Sequence, residues 1–293
     1  MADSGRSAVI DLHIHSTASD GTLSPAAVVA AAAVAGLDVM ALTDHDTLAG
    51  WDEAFAACPC GLTIVPGLEL SCVYQGGEGQ RPISVHLLGY LVDPSHPGLV
   101  AELCRLRTER SRRGEKIVEK LVAAGLPISW DRVREFAAGA SIGRPHVGRA
   151  LVEAGVVASV DEAFVELLSA AGPYYVRKAD LDAVAGVQLI AAAGGVSVFA
   201  HPAAGRRGRV VDEAAITALA QVGLCGIEVD HPDHLPAERD DLRILAADLG
   251  LVATGSSDFH GTNKVNRLGQ HTTDPSAYRE LMAGACGSRP YAG

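Results

Sequence analysis

Short apolar runs alternate along this chain with longer stretches in which apolar residues recur at helical spacing, and polar residues gather where the runs end. The Ala8-Val9-Ile10 run ahead of Asp11-Leu12-His13-Ile14-His15 lacks helical spacing and predicts a buried strand, and period-2 alternation then sends His13 and His15 to one face. Ser24 as N-cap, Pro25 at the first helical position and Gly36 as terminator bound a helix, after which Asp38 to Leu42 reads as strand two. Further strands are predicted at Leu62–Val65, Ser84–Tyr90, Val196–Phe199, Ile227–Val229 and Leu251–Thr254, with helices at Leu181–Ala193, Ala214–Val222 and Pro236–Leu249. Short strands mostly separated by helices point to an α/β fold with a parallel barrel; a doubly wound open sheet is the rival, weakened by the lack of a Gly-rich dinucleotide or phosphate-loop fingerprint.

The alternation breaks between Pro94 and Asp180, where helices are predicted at Leu99–Ala124, after Ser129, at Pro145–Ala154 and at Val160–Leu168. The expected organisation is a barrel in two parts, 1–93 and 181–293, carrying an all-helical insertion at 94–180.

Polar clusters follow several apolar runs: Thr43-Asp44-His45-Asp46, Pro66-Gly67-Leu68-Glu69, Ser84-Val85-His86, Ala200-His201-Pro202 and Ser257-Asp258-Phe259-His260. Strand ends are where α/β proteins collect functional groups. Together they offer His13, His15, Asp20, His45, Glu69, His86, His201, Asp258 and His260, too many donors for one ion and enough for two or three. Mixed nitrogen and oxygen ligation without thiolate favours Mn²⁺, Fe²⁺ or Zn²⁺ over Ca²⁺ or Mg²⁺. Asp11, Asp44 and Asp46, beside candidate ligands, are expected to hold imidazole N–H groups in the ligating tautomer.

Composition adjusts this picture in a few places. The 293 residues are 48% hydrophobic, ample for a core, and the net charge of −11 argues against gripping long duplex nucleic acid. Residues 94–180 hold 13 Lys+Arg against 11 Asp+Glu, leaving 11 against 24 elsewhere, so the acidity lies in the flanks that carry the candidate ligands. Six cysteines without framework spacing, no signal peptide and no membrane-length apolar run lead to the expectation of a cytoplasmic protein with reduced thiols, Cys58-Pro59-Cys60 included. The charge run Arg105 to Lys120 reads as a solvated helix face, whereas Gly143-Arg144-Pro145-His146 and Tyr174-Tyr175-Val176-Arg177-Lys178 put basic groups in loops able to lean over a neighbouring site.

The ordered motifs D-x-H-x-H-S-x-x-S-D-G, T-D-H-D, P-G-x-E, a lone strand histidine, A-H-P and S-D-x-H, spanning residues 11 to 260, resemble the PHP (polymerase and histidinol phosphatase) family of metal-dependent phosphoesterases. G-R-P-H in a helical insertion and Glu228-Val229-Asp230-His231-Pro232-Asp233-His234 resemble its branch of 3′,5′-nucleotide bisphosphatases and 5′-to-3′ exoribonucleases of short RNA, except that Asp230 stands where an aromatic residue is common. The resemblance implies a distorted (β/α)7 barrel and a trinuclear centre, manganese first and iron or zinc as alternatives. By motif, His13, His15, Glu69 and Asp258 would hold one metal, Asp20, His45 and His260 a second, and Glu69, His86 and His201 a third, with Glu69 bridging. The implied reaction is attack by metal-activated hydroxide on the 3′-phosphate of a nucleoside 3′,5′-bisphosphate, with 5′-3′ trimming of short oligoribonucleotides. Arg144, Lys178 and Lys264 would meet a remote phosphate and His146 would position substrate. His231 would contact substrate or protonate the leaving oxygen, or else steady the loop before Pro232, while His96, His234 and His271 have no ligand pattern. A histidinol-phosphate or nucleoside monophosphate phosphatase, and a non-catalytic metal-binding module on nucleic acid, are the alternatives; the expected partner is a small nucleotide or short oligoribonucleotide, with no membrane.

Overall fold

The computed structural model describes residues 6–76, 81–169, 172–177 and 179–293. In chain order the elements are β1 (Ile10–Ile14), α1 (Pro25–Val34), β2 (Val39–Leu42), α2 (Trp51–Ala56), β3 (Thr63–Tyr74), β4 (Ile83–Tyr90), α3 (Pro97–Ala123), α4 (Trp130–Ala137), α5 (Arg144–Glu153), α6 (Val160–Glu166), β5 (Leu181–Asp182), α7 (Ala183–Ala192), β6 (Val196–Phe199), α8 (Glu213–Gln221), β7 (Gly226–Asp230), α9 (Pro236–Leu249), β8 (Val252–Gly255), α10 (Pro275–Ala283) and β9 (Tyr291–Ala292).

The strands follow the order β1-β2-β3-β4-β6-β7-β8, and the His15 amide donates to the Phe259 carbonyl at 2.9 Å across the gap from β1 to the segment after β8, nearly closing the barrel. Two-residue β5 and β9 both join β3 off this path. The architecture is a mixed α/β barrel, and one expectation needs correction: β4 runs antiparallel to both β3 and β6, so the sheet is not uniformly parallel. β3 and β4 succeed each other as paired strands with no crossover helix between them, and such neighbours run antiparallel. β3 also continues through Pro66-Gly67-Leu68-Glu69 to Tyr74 instead of stopping at Val65. Gly67 permits this passage, since a Cβ there would lie 2.9 Å from Thr43 Cγ2.

Helix starts follow local chemistry. Ser24 Oγ accepts from the Ala27 amide at 3.2 Å, Ser129 Oγ from Arg132 at 3.2 Å, and Asp182 Oδ1 from Val184 at 3.0 Å. The Asp182 cap starts α7 at Ala183, two residues later than the pattern suggested, because Leu181 and Asp182 pair with β3. α2, α10 and β9 are elements that the hydrophobic pattern does not predict.

Three apolar clusters hold the molecule together. Ile10, Leu12, Ala41, Val65, Leu88 and Val198 belong to one drawn almost wholly from the strands, which fills the barrel, with Tyr278 and Met282 of α10 against it. A second lies between the strands and the outer helices, where Met40 and Leu42 meet Val28, Val29 and Ala32 of α1. The third, with Ile117, Leu121, Val133, Val147 and Leu151, lies within the α3–α6 helices. α3 belongs to two of them: Leu99, Leu103 and Leu106 pack on the barrel, and Ile117, Val118 and Leu121 on the helical core. Among the described residues no helix is long and apolar enough to cross a membrane.

Candidate metal centre

One end of the barrel gathers the polar side chains. His13 comes from β1 and His15 from just beyond it, Asp20 from the following loop, His45 from the loop after β2, and His201, Asp258 and His260 from the segments after β6 and β8. Glu69 and His86 depart from the expected pattern, because they sit inside β3 and β4 and do not close them. The antiparallel pairing explains why they still arrive: His86 is opposite Ser71, so the first half of β4 lies beside the outgoing half of β3. Backbone pairing of His45 with Glu69 brings the β2 loop to the same place.

Four donor atoms form a compact set. His13 Nε2 lies 3.0 Å from His15 Nε2, 3.3 Å from Glu69 Oε2 and 3.5 Å from Asp258 Oδ1, while His15 Nε2 is 3.1 Å from Glu69 Oε2 and 3.5 Å from Asp258 Oδ1. Two ligands about 2.1 Å from one cation at a tetrahedral angle are about 3.4 Å apart, so the spacing suits a transition-metal ion. Asp20 carries a second group, its oxygens 3.4 Å from His260 Nε2 and 3.7 Å from His45 Nε2. Glu69 Oε1 carries a third, 2.7 Å from His86 Nδ1 and 3.1 Å from His201 Nε2. His45 reaches both neighbourhoods, since its Nδ1 is 3.1 Å from Glu69 Oε2. The buried atoms His45 Nδ1, Glu69 Oε2 and His86 Nδ1 make no hydrogen bond among the described residues, although they crowd together. Desolvated lone pairs left in this way are costly unless a cation takes them.

The electrostatics follow from burial and close packing of opposite charges. Burial works against a charged His13, but Glu228, Glu69 and Asp258 outweigh it and hold the imidazole well above its ordinary value. His15 is likewise raised to about 9 against burial, by the adjacent carboxylates of Asp258 and Glu69. Burial and the neighbouring His15 and Lys264 push His260 down to about 4, which keeps it in the neutral, ligating form. Burial opposes ionisation of Asp20 and Glu69 as well, yet the imidazoles around them, His45 foremost, keep both carboxyls well below the usual range.

The supporting contacts differ from expectation. Asp11 accepts from the backbone amides of Ser257 at 3.0 Å and Gly269 at 2.9 Å, and Asp44 from the Ser16 amide at 2.9 Å and the Ser19 hydroxyl at 2.5 Å. Asp46 accepts from the Ser71 amide at 2.7 Å and from the guanidinium of Arg110. These contacts fix loops, and Asp44 reaches His15 Nδ1 through Ser19, whose Oγ lies 3.4 Å from that ring nitrogen; two further rings are met by other groups. Glu228 Oε1 faces His13 Nδ1 at 3.1 Å, and the Asp258 carbonyl faces His260 Nδ1 at 2.9 Å. Glu228, fully buried, also accepts from the His201 amide at 2.7 Å and from the Ser256 hydroxyl. Motif and composition assign Glu228 no role; its signal in the sequence is a carboxylate flanked by Ile227 and Val229 in the middle of a buried strand.

Backbone strain concentrates at this end. His201 (φ 33°), Asp258 (φ 51°) and Asp46 (φ 53°) occupy left-handed conformations, each costing about 1–3 kcal/mol.

The remaining candidates are placed as follows. His231 is fully buried, its Nδ1 accepting from the Asp233 amide at 3.0 Å and its Nε2 3.4 Å from Asp258 Oδ2. Lys264 donates to Asp258 Oδ2 at 2.6 Å, so its ammonium sits at the cluster. His146 Nδ1 accepts from the Gly143 amide at 3.0 Å at the start of α5, and Gly143 lies so close to Asp20 that a Cβ there would be 3.5 Å from Asp20 Oδ2. Arg144 donates to the Leu168 carbonyl at 2.8 Å and stacks over Phe164; burial and the nearby Arg113 lower it to about 10. Lys178 lies outside the described residues. His96 caps α3, His234 spans Val229 and Ala203, and His271 meets Arg239. In the run read as a solvated face, Arg110 is the exception: it is 9% exposed and donates to Ser71 Oγ at 2.7 Å as well as to Asp46.

Comparison with known proteins agrees with this arrangement. The PHP domain family matches residues 11–126. A 5′-3′ exoribonuclease of Haemophilus influenzae is 34% identical over 252 residues, covering 85% of this chain and 89% of that protein. A 3′,5′-nucleoside bisphosphate phosphatase of Chromobacterium violaceum is 34% identical over 267 residues, 90% of this chain and 92% of the relative. A solved structure from Bifidobacterium adolescentis, assigned as a metal-dependent phosphoesterase, superimposes with a TM-score of 0.86 at 35% identity, covering 94% of this chain and 96% of that one. With near-complete coverage, and a cluster of buried imidazoles and carboxylates able to hold metals at one end of the barrel, the chain belongs to the PHP family of metal-dependent phosphoesterases.

Proposed function

We propose that this protein hydrolyses the 3′-phosphate of nucleoside 3′,5′-bisphosphates and also trims short oligoribonucleotides from the 5′ end, using a trinuclear, manganese-preferring centre. The carrying observation is the division of Glu69: Oε2 faces His13, His15 and His45, whereas Oε1 faces His86 and His201. A carboxylate so placed would bridge neighbouring cations, with His13, His15 and Asp258 on one, Asp20, His45 and His260 on another, and His86 and His201 on the third. Bound divalent ions would supply acidified water and neutralise charge on the phosphoryl oxygens.

The chain's own groups do the rest. Because His231 Nδ1 accepts a hydrogen bond, its neutral ring carries the proton on Nε2, on the side of Asp258. On taking up a second proton the ring becomes an imidazolium able to protonate the leaving oxygen, and in that form His231 is assigned as the general acid. The helical insertion is assigned as a cap over the site, with Arg144 and His146 receiving the remote phosphate and Lys178, by its sequence position, assigned to the same task; the nearness of Gly143 to Asp20 supports the cap. Lys264, held at Asp258, balances charge beside the reacting phosphate. A reducing cytoplasm is the compartment proposed, since the six cysteines lack the spacing of a disulfide framework.

The test is phosphate release from a panel of 3′,5′-bisphosphates, nucleoside monophosphates, histidinol phosphate and 5′-phosphorylated oligoribonucleotides after loading with Mn²⁺, Fe²⁺ or Zn²⁺. Higher kcat/KM on the bisphosphates supports the proposal. Preference for a monophosphate, or no turnover with any metal, overturns it.

A further inference from the structure

We propose that Arg110, a residue of the helical insertion, is a positioning residue for the metal centre, setting the backbone that presents His45 and Glu69. Along α3 the buried residues Leu99, Leu103, Leu106, Arg110, Gly114, Ile117 and Leu121 recur every three or four positions, and Arg110 is the one charge in that stripe. It falls between the leucines that pack on the barrel and the residues that pack on the helical core.

A guanidinium is retained in such a stripe only if its donors are satisfied. Nε donates to Asp46 Oδ2 and Nη2 to Ser71 Oγ at 2.7 Å, and Asp46 itself accepts from both the amide (2.7 Å) and the hydroxyl (2.8 Å) of Ser71. Asp46 directly follows His45 and is held at φ 53°, while Ser71 lies two residues after Glu69 on β3. The two segments are already joined by backbone hydrogen bonds, Asp46 amide to Glu69 carbonyl at 3.0 Å and Glu69 amide to Asp44 carbonyl at 3.2 Å. Arg110 thus closes a small lattice with two candidate ligands inside it. A second tie runs nearby, from the Ser141 amide to the Ala18 carbonyl at 3.2 Å, in the loop that carries Asp20. The insertion therefore shapes the ligand set as well as covering it.

The inference rests on reading this cluster as a metal centre, which Mn²⁺ titration of metal-free wild-type protein, followed by the resonance of the free ion, tests separately and without substrate. Against that reference, Arg110→Ala is expected to weaken Mn²⁺ binding by about tenfold or more, the effect typical of outer residues that orient ligands. In turnover its kcat falls while KM changes little. Arg110→Lys keeps the charge but loses the fork, and recovers only part of the affinity. Arg107→Ala, on the exposed face of the same helix, leaves both readouts at wild-type values. Should Arg110→Ala fail to fold, Arg110→Lys and Arg110→Gln decide. A folded Arg110 variant whose Mn²⁺ titration superimposes on wild type, even with a lowered melting temperature, overturns the proposal.

Discussion

His13 and Glu228 are 215 residues apart in sequence, yet His13 Nδ1 and Glu228 Oε1 meet at 3.1 Å with both side chains fully buried. In the neutral, metal-ligating form of the ring this contact would keep the hydrogen on Nδ1 and leave Nε2 free to face His15 and Glu69. Outer partners of this kind typically carry a 10- to 100-fold effect on affinity or activity. Glu228→Ala is therefore expected to lower kcat/KM about 10- to 100-fold and to reduce bound metal measured by elemental analysis. Glu228→Gln, which keeps an acceptor without the charge, should fall between it and wild type. Undiminished metal content in a folded Glu228→Ala protein would refute the assignment.

The sequence exposed some of this site and concealed the rest for identifiable reasons. His13 and His15 were legible because strand alternation is local, and the Asp182 cap of α7 is equally a matter of a few adjacent residues. The direction of β4 was not legible, since strand polarity depends on a connection and not on composition. Arg110 was hidden by its company: seven Lys or Arg residues between 105 and 120 read as solvated, and only its phase with Leu103 and Leu106 separates it from its neighbours. The loop-fixing contacts of Asp11 and Asp44 are not legible, because adjacency to a histidine in sequence says nothing of where a carboxylate turns.

Removing the metals should cost both activity and stability. Chelation is expected to abolish phosphate release, with recovery on adding Mn²⁺. Because the cation binds only the folded arrangement, a concentration about one hundred times its Kd adds about 2.7 kcal/mol, so the melting temperature of the loaded protein should exceed that of the stripped one by several degrees. Identical melting curves with and without Mn²⁺ would count against a metal site here.

Arg144 and His146 test the substrate preference. Arg144→Ala should reduce kcat/KM about tenfold or more for a 3′,5′-bisphosphate and much less for a monophosphate, because loss of a charge-assisted contact to a phosphate matters only when that phosphate exists. His146→Ala should shift KM more than kcat. An equal loss of kcat/KM on both substrate types for Arg144→Ala would remove its remote-phosphate role.

Tyr90 offers a test of the barrel interior beneath the site. Its hydroxyl donates to the Leu12 carbonyl at 2.8 Å, tying β4 to β1 from within a fully buried position. Tyr90→Phe leaves that acceptor without its partner and should destabilise the protein by about 1–2 kcal/mol in denaturant unfolding, with kcat near wild type. A neutral effect would mean that Leu12 finds another donor.

The double membership of α3 has a consequence for how this chain can change. A helix turns about 100° per residue, so inserting or deleting one position between Leu106 and Arg110 would swing the guanidinium a quarter-turn or more away from Asp46 while the leucines stayed seated. Loops elsewhere tolerate length variation, but this segment behaves like a keyed shaft whose angular setting must survive. Drift in it should be confined to substitutions that preserve rotational registration.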